Sequence, residues 1–148
     1  MIGIFDSGVG GLTVVRSIMS YLPGYDITYF GDTARTPYGT KSAETVARYA
    51  IENIEFLISK GAKIIIVACN TASSIATEYV NGNYDVPIFE VITPAVEMAM
   101  TVSKQSSIGI IGTRATIRSG IYKKKIADIN PDAKVYSEPC PLLVPNIP

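Results

Sequence analysis

The run from Ile64 to Ala68 constrains the fold of this chain more than any other stretch of its sequence. It is short and apolar, it is rich in β-branched residues, and no polar residue interrupts it. This pattern predicts a strand that is buried on both faces of a parallel sheet. Parallel strands need long crossover connections, so the rest of the chain should supply helices that cover the sheet.

Cys69 comes directly after this strand. The residues that follow it are of the types that cap helices, namely Asn70, Thr71, Ser73 and Ser74. Residues 72–80 can form the helix, so Cys69 should lie between a strand and a helix, where open α/β sheets bind ligands. Backbone N–H groups there favour anions, so the position can lower the pKa of a thiol and hold a substrate carboxylate. A buried structural cysteine is the alternative.

Short apolar runs alternate with amphipathic segments along the whole chain. The predicted strands are residues 2–5, 25–30, 64–68, 87–91, 107–112 and 133–137. The predicted helices are residues 12–22, 42–60, 72–80, 93–104 and 115–129. This order predicts an α/β fold with a parallel sheet flanked by helices, of the flavodoxin-like, doubly wound type.

A faint internal repeat predicts two units. Residues 2–5 (Ile-Gly-Ile-Phe) are similar to residues 108–111 (Ile-Gly-Ile-Ile), and each segment is followed by a polar turn and a helix. We expect a first α/β domain at residues 1–93, which carries Cys69, and an incomplete second α/β domain at residues 94–148. A parallel domain cut midway leaves open strand edges and an uncovered apolar face, so we expect a homo-oligomer.

The charge pattern argues against a nucleic-acid or membrane partner. Thirteen basic and thirteen acidic residues cancel, and the largest basic cluster is the short run 123–125, interpreted as a solvated helix face. The amino-terminal residues 1–6 lack the basic segment of an export signal, and no window approaches the ~18 apolar residues of a membrane span. We therefore expect a cytoplasmic protein.

The absence of histidine limits the available chemistry. It removes Cys-His and Ser-His mechanisms and the commonest metal ligand, so we expect no metal site. Cys69 and Cys140 are the two cysteines, and both should be free thiols in a reducing compartment.

Four separated motifs follow one another in a recognisable order. They are Asp6-Ser7-Gly8-Val9-Gly10-Gly11-Leu12-Thr13, Pro37-Tyr38-Gly39-Thr40, Ala68-Cys69-Asn70-Thr71-Ala72-Ser73 and Gly112-Thr113-Arg114-Ala115-Thr116-Ile117. In this combination the sequence resembles the glutamate racemases of the cofactor-independent aspartate/glutamate racemase family. The resemblance runs from residue 2 to about residue 145.

The resemblance implies a function and a set of site residues. Members of the family have two similar α/β domains that face each other across a cleft. They interconvert L- and D-glutamate without a cofactor, as isomerases for peptidoglycan synthesis, cell wall biogenesis and cell shape. By resemblance, Cys69 exchanges the α-proton, and Asp6 supports the thiol or the substrate amino group. The implied substrate-binding residues are Ser7, Pro37, Tyr38, Gly39, Asn70, Thr71, Thr113 and Thr116.

The sequence departs from the family pattern in its second half. The family's second catalytic cysteine lies in a Gly-Cys-Thr-His segment that this sequence lacks, and Cys140 matches a different segment. Val144 and Pro145 are not followed by the family's glutamate. We therefore expect this chain to hold only one of the two bases and not to complete racemisation. We also expect Cys69 to react with thiol reagents faster than Cys140, and glutamate to slow that reaction.

Three other interpretations stay open at this point. Gly8 and Gly10 after a strand, with Asp32 near the end of the next one, weakly imitate a dinucleotide-binding fingerprint. Asp6 argues against it, since it would place a negative charge beside the pyrophosphate. The second interpretation is a non-catalytic glutamate-binding or regulatory protein on a racemase-like scaffold. In the third, the glycines, the Pro37 turn and the threonines serve only as turn and cap residues.

Overall fold

The computed structural model describes residues 1–80, 82–104 and 107–143, and it contains two parallel sheets. The first sheet has four strands in the order β2-β1-β3-β4, which are β1 (Ile2–Asp6), β2 (Ile27–Gly31), β3 (Ile64–Val67) and β4 (Ile88–Glu90). The second sheet pairs β5 (Ser107–Gly112) with β6 (Lys134–Pro139). The prediction of an α/β fold with parallel strands is confirmed.

A helix or a pair of helices lies between each two consecutive strands. They are α1 (Leu12–Tyr21), α2 (Ala43–Ser59), α3 (Asn70–Val80), α4 (Ile92–Val102), α5 (Arg114–Ser119) and α6 (Ile121–Ile129), with a 3-10 turn at Tyr38–Thr40. The four-stranded sheet with α1–α3 forms the first unit of the chain, and the two-stranded sheet with α4–α6 forms the second. The predicted domain boundary at residue 93 stays a prediction.

The two faces of the first sheet differ in burial. On one face, side chains such as Phe5 and Ile65 pack with α2 and α3 in the main core. The other face packs against α1 and buries Ile2, Ile4 and Ala68. Ile65 and Val67 are buried, whereas Ile64 and Ile66 are only partly buried. The expectation that this run is buried on both faces is correct for the face of α2 and α3, and on the face of α1 it is correct for Ala68 only.

The second unit has a small core of its own, formed by Ile92, Val96, Ile110 and Ile126. Helix α4 starts slightly earlier than predicted, because the carboxylate of Glu90 accepts hydrogen bonds from its first N–H groups, including that of Thr93 at 3.0 Å. Lys125 reaches Glu90 at 3.6 Å, so this member of the short basic run is not simply solvated.

Several element boundaries correct the sequence predictions. The helix expected at 115–129 is two helices, because Gly120 adopts a φ of 68° that ends α5 and precedes α6. Strand β2 starts at Ile27 and not at residue 25, and β6 continues to Pro139. Helix α4 ends at Val102. Residues 144–148, the end of the proline-rich segment, lie outside the described residues.

Candidate active site

A cleft of about 570 Å³ opens at the carboxyl ends of β1 and β3, which are neighbours in the sheet. Its walls are the turn after β1, the loop after β2, the start of α3, and Thr113 from the second unit. All of the predicted site residues except Thr116 line this cleft. Thr116 is buried just behind the wall, with its Oγ1 3.0 Å from that of Thr113. The sequence motifs therefore converge on one place in the fold.

Cys69 joins β3 to α3 and caps the helix itself. The backbone N–H of Ser73 donates to the carbonyl of Cys69 at 2.8 Å, and the N–H of Ala72 donates to its Sγ at 3.5 Å. The helix therefore begins at Asn70, two residues earlier than predicted. The residues expected to cap it, Asn70 and Thr71, lie inside its first turn. The predicted position of Cys69 between a strand and a helix is confirmed.

Burial raises the pKa of the Cys69 thiol, and the negative charge of Asp6 raises that pKa further. The side chain is 4% exposed, and its Sγ donates to the Oγ of Ser7 at 3.4 Å. Hydrogen bonds from Ser7 and Ala72 act in the opposite direction and are the smaller causes. The expectation of a thiol pKa lowered by the helix end is therefore wrong, because the loss of hydration outweighs the helix N–H groups.

Asp6 is held in the turn after β1. Its Oδ2 accepts hydrogen bonds from the N–H groups of Gly8 at 3.2 Å and Gly11 at 3.1 Å. A Cβ at Gly11 would lie 2.7 Å from the Cβ of Asp6, so this close approach requires glycine. The Tyr29 hydroxyl fixes the same turn by donating to the Gly8 carbonyl at 2.7 Å. The turn thus presents a fixed carboxylate beside the thiol.

The Tyr38 hydroxyl points into the core of the first unit. It donates to the carboxylate of Asp32 and accepts from Nδ2 of Asn53 at 3.0 Å, and the residue is 1% exposed. Burial raises the pKa of this hydroxyl well above its ordinary value, and the bond to Asp32 adds to the effect. Any contact of Tyr38 with a substrate therefore does not use the hydroxyl.

Arg35 and Asn53 complete this network, and neither residue was among those expected from the sequence. Arg35 donates from Nε to Asp32 at 2.7 Å and from Nη2 to Oδ1 of Asn53 at 2.8 Å, and it also pairs with Glu52. An asparagine on the apolar face of α2 was the available signal for Asn53. Because Asp32 is bound to Arg35 and Tyr38, it is not free for a ribose, which argues against the nucleotide-binding interpretation.

Thr113 brings the second unit against the cleft. Its Oγ1 lies 3.0 Å from that of Thr71 and accepts the N–H of Thr116 at 3.2 Å as the cap of α5. A Cβ at Gly39 would lie 2.4 Å from the Cβ of Thr113, so glycine is required where the two walls meet. The cap interpretation of Thr113 and its place in the cleft are thus both correct.

Tyr122 is a neighbour of the cleft that sequence reasoning missed. Its hydroxyl donates to Oδ1 of Asn70 at 2.6 Å across the two units. A tyrosine on an amphipathic helix gives no signal of this contact, because the contact depends on the packing of α6 near the start of α3. The side-chain carbonyl of Asn70 is thereby oriented.

The charges of the cleft suit a zwitterion. Among the described lining residues, Asp6 is the one charged side chain. The first N–H groups of α3, at Asn70 and Thr71, have no acceptor inside the helix, and the helix dipole makes that end positive. A carboxylate at one side and N–H donors at the other match an amino acid with its ammonium near Asp6 and a carboxylate near α3.

Two other features are absent from the described part of the chain. No cluster of three or more Cys, Asp or Glu side chains is placed there to hold a metal ion. Over the same residues, no helix combines the length and the apolar character needed to cross a membrane.

Comparison with known proteins gives consistent matches. The family model described as Asp/Glu/Hydantoin racemase matches residues 2–141. The glutamate racemase of Geobacter metallireducens is 51% identical over 144 residues, which are 97% of this chain and 53% of that protein. The crystal structure of a glutamate racemase isoform from Bacillus anthracis superposes with a TM-score of 0.94 at 41% identity, over 98% of this chain and 55% of that one.

A third match was solved with a bound amino acid. The glutamate racemase of Francisella tularensis, in complex with D-glutamate, has a TM-score of 0.89 and 48% identity over 97% of this chain and 54% of that one. In each of these comparisons the chain spans about half the length of the relative.

Proposed function

We propose that this chain, which belongs to the Asp/Glu/Hydantoin racemase family, binds glutamate and exchanges its α-proton through Cys69. This step is one half of the glutamate racemase reaction. The observation that carries the proposal is the convergence of the Cys69 thiol, the Asp6 carboxylate and the start of α3 on one cleft. The relatives are named glutamate racemases, and one was solved with D-glutamate, which supports the choice of substrate.

In the proposed complex, the glutamate ammonium lies near Asp6. The N–H groups at the start of α3 hold a carboxylate, and the hydroxyls of Ser7, Thr71 and Thr113 are available to the remaining polar groups. Backbone donors suit this substrate because they stabilise the negative charge that develops on its carboxylate. A lysine or arginine in their place would compete with the substrate ammonium for Asp6. Pro37 and Gly39 form the opposite wall and limit the size of the ligand.

The proposed chemistry is a proton transfer at carbon. The Cys69 thiolate takes the α-proton, so that the C–H bond breaks, an S–H bond forms, and the electron pair spreads into the substrate carboxylate. Hydrogen-bond donors aimed at that carboxylate stabilise the developing charge. Return of a proton from the same face restores the substrate, and return from the opposite face gives the other enantiomer.

The raised pKa of Cys69 fits this task. A thiolate of high pKa is a strong base, which a weak carbon acid requires, but it must first be formed. A bound ammonium offsets the charge of Asp6, which is one cause of the raised pKa, and therefore favours the thiolate in the complex. The Ser7 hydroxyl, 3.4 Å from Sγ, is positioned to stabilise it.

Cys69 is the one cysteine that lines the cleft among the described residues. Cys140 does not line this cleft but an adjacent cavity that shares Asn70 and Thr113 with it, and its Sγ donates to the carbonyl oxygen of Glu138 at 3.8 Å. We therefore propose that the 148-residue chain exchanges the α-proton on one face of glutamate without inverting the carbon.

Proton NMR in deuterated water tests the proposal. L-glutamate and D-glutamate are incubated separately with the chain, and the α-proton signal and the chirality are followed. We expect one enantiomer to lose its α-proton signal without inversion, Cys69→Ser to abolish the loss, and the matched control Cys140→Ser to preserve it. Exchange that persists in Cys69→Ser would contradict the role of Cys69, and inversion would point to a second base from a partner copy.

Absence of exchange for both enantiomers would overturn the proton-transfer step. A glutamate titration would then decide whether the chain is a non-catalytic glutamate-binding protein. The homo-oligomer, the cytoplasmic location, the two-domain division and the role in peptidoglycan synthesis stay predictions.

A further inference from the structure

Tyr122 lies at the contact between the two units, beside the candidate active site. It lines a cavity of about 330 Å³ that shares Asn70 and Thr113 with the cleft, but it does not line the cleft itself. We propose that Tyr122 is a positioning residue, which holds the Asn70 amide so that its Nδ2 group donates into the cleft, to a carboxylate of the substrate. This inference deepens the proposed function and rests on it.

The contact between Tyr122 and Asn70 is a short hydrogen bond. The hydroxyl oxygen of Tyr122 lies 2.6 Å from Oδ1 of Asn70. This separation lies within the range of O–H···O bonds and below that of N–H···O bonds, so the hydroxyl faces the amide oxygen and not the amide nitrogen. Burial raises the pKa of the Tyr122 hydroxyl, and the negative charge of Glu90 raises that pKa further, so the hydroxyl keeps the proton that it donates.

The other half of the Asn70 amide is available to a ligand. Nδ2 carries two N–H donors, and they bond to no other residue among those that the structure describes. The amide oxygen and nitrogen point away from each other, and Oδ1 is held on the side of the adjacent cavity. Because Asn70 also lines the cleft, Nδ2 is directed there, next to the first N–H groups of α3. An amide turned the other way would present its oxygen to the substrate carboxylate, and two acceptors repel each other.

Helix α6 fixes the place of the Tyr122 hydroxyl. The Tyr122 ring packs against the core of the second unit, in which Ile126 is 1% exposed. Lys125 lies one turn further along the same face of α6, where its Nζ donates to Oγ1 of Thr93 at 2.6 Å and pairs with Glu90 at 3.6 Å. Glu90 is the last residue of β4, so α6 is anchored at the carboxyl edge of the first sheet. The hydroxyl is therefore in place before a ligand arrives, and little ordering is required on binding.

A double-mutant cycle of glutamate binding tests the inference. NMR titrations with L-glutamate and D-glutamate, run separately, compare the unmodified chain with Tyr122→Phe, Asn70→Ala and the double variant. We expect Tyr122→Phe to lower the affinity roughly threefold to tenfold, because one oriented hydrogen bond to the ligand is lost. In the Asn70→Ala background the same substitution should change the affinity by less than about twofold, since no amide is left to orient.

Tyr136→Phe is the matched control. It removes the hydroxyl of an exposed tyrosine on β6 that lines neither cavity, so it should bind glutamate as the unmodified chain does. Equal affinities of Tyr122→Phe and the unmodified chain would overturn the inference. So would a loss of the same size in the Asn70→Ala background, because it would show that Tyr122 acts on the structure and not through Asn70.

The side-chain amide signals of Asn70 give a second readout, which requires no ligand. In nitrogen–proton correlation spectra of the free chain, Tyr122→Phe should shift these signals and leave those of the Asn53 side chain in place. Unchanged Asn70 signals would overturn the inference whatever the fate of the proposed function. Glutamate binding without α-proton exchange would contradict the proton-transfer step and leave this inference standing, whereas a chain that binds no glutamate would contradict both.

Discussion

Removal of the Tyr38 hydroxyl should destabilise the wall of the cleft from within the core. Tyr38→Phe keeps the ring and deletes one oxygen, which donates to Asp32 and accepts from Nδ2 of Asn53 at 3.0 Å. The residue is 1% exposed, so water cannot easily take the place of the lost group. The substitution therefore tests the hydrogen bonds and leaves the packing nearly unchanged.

The expected loss follows from the groups that remain. Asp32 keeps its contact with Arg35 Nε at 2.7 Å, but Nδ2 of Asn53 loses its acceptor. A buried donor without a partner, together with the loss of a bond to a carboxylate, should lower the free energy of unfolding by about 2–3 kcal/mol. For a chain of this size, this corresponds to a fall in unfolding temperature of roughly 4–12 °C.

Thermal unfolding followed by circular dichroism measures this loss, and Tyr49→Phe is its matched control. The ring of Tyr49 lies 5.5 Å from that of Tyr38 and 4.2 Å from the Arg35 guanidinium, and its hydroxyl makes no hydrogen bond to a described residue. We expect the control to lose less than about 0.5 kcal/mol. Equal shifts for the two variants would refute the argument that the Tyr38 hydroxyl is a buried structural group.

Three further predictions follow from the contacts and pKa values. Iodoacetamide should modify Cys140 faster than Cys69 at neutral pH, because Cys69 is 4% exposed and the pKa of its thiol is raised. This order is the reverse of the one expected from the sequence. Faster modification of Cys69, measured by mass spectrometry, would contradict the prediction. Gly39→Ala should lower the free energy of unfolding, measured in urea, by about 1–3 kcal/mol, because the new Cβ would lie 2.4 Å from the Cβ of Thr113. Gly109→Ala is the control and should lower it less, because a Cβ there meets nothing within 4 Å. Burial raises the pKa of Tyr29 from 10.0 to about 12, so the unfolded chain releases that proton first and stability should fall as pH rises between these values. Tyr29→Phe should flatten this pH dependence, and an unchanged slope would refute the assignment.

The sequence by itself determined the order of the elements and the position of Cys69. Apolar runs and helix signals are local patterns, so they predicted β1, β5 and most of α1 and α2 closely. The four motifs also predicted which residues meet at the cleft, because the carboxyl ends of neighbouring parallel strands lie at one edge of a sheet. The predicted boundaries of β2 and β6 were less accurate. A strand ends where its hydrogen bonds to the neighbouring strand end, and local composition does not show where that is.

Only the tertiary structure decided how these residues are used. Gly120 ends one helix and precedes another because its φ is 68°, and a glycine in a sequence does not reveal which backbone conformation it adopts. The direction of the Tyr38 hydroxyl depends on Asn53, fifteen positions away on α2. The sequence placed Cys69 at a helix end that lowers thiol pKa values, but burial and Asp6 raise the pKa instead. Desolvation and through-space charge depend on distances between segments remote in the chain, and no local pattern contains those distances.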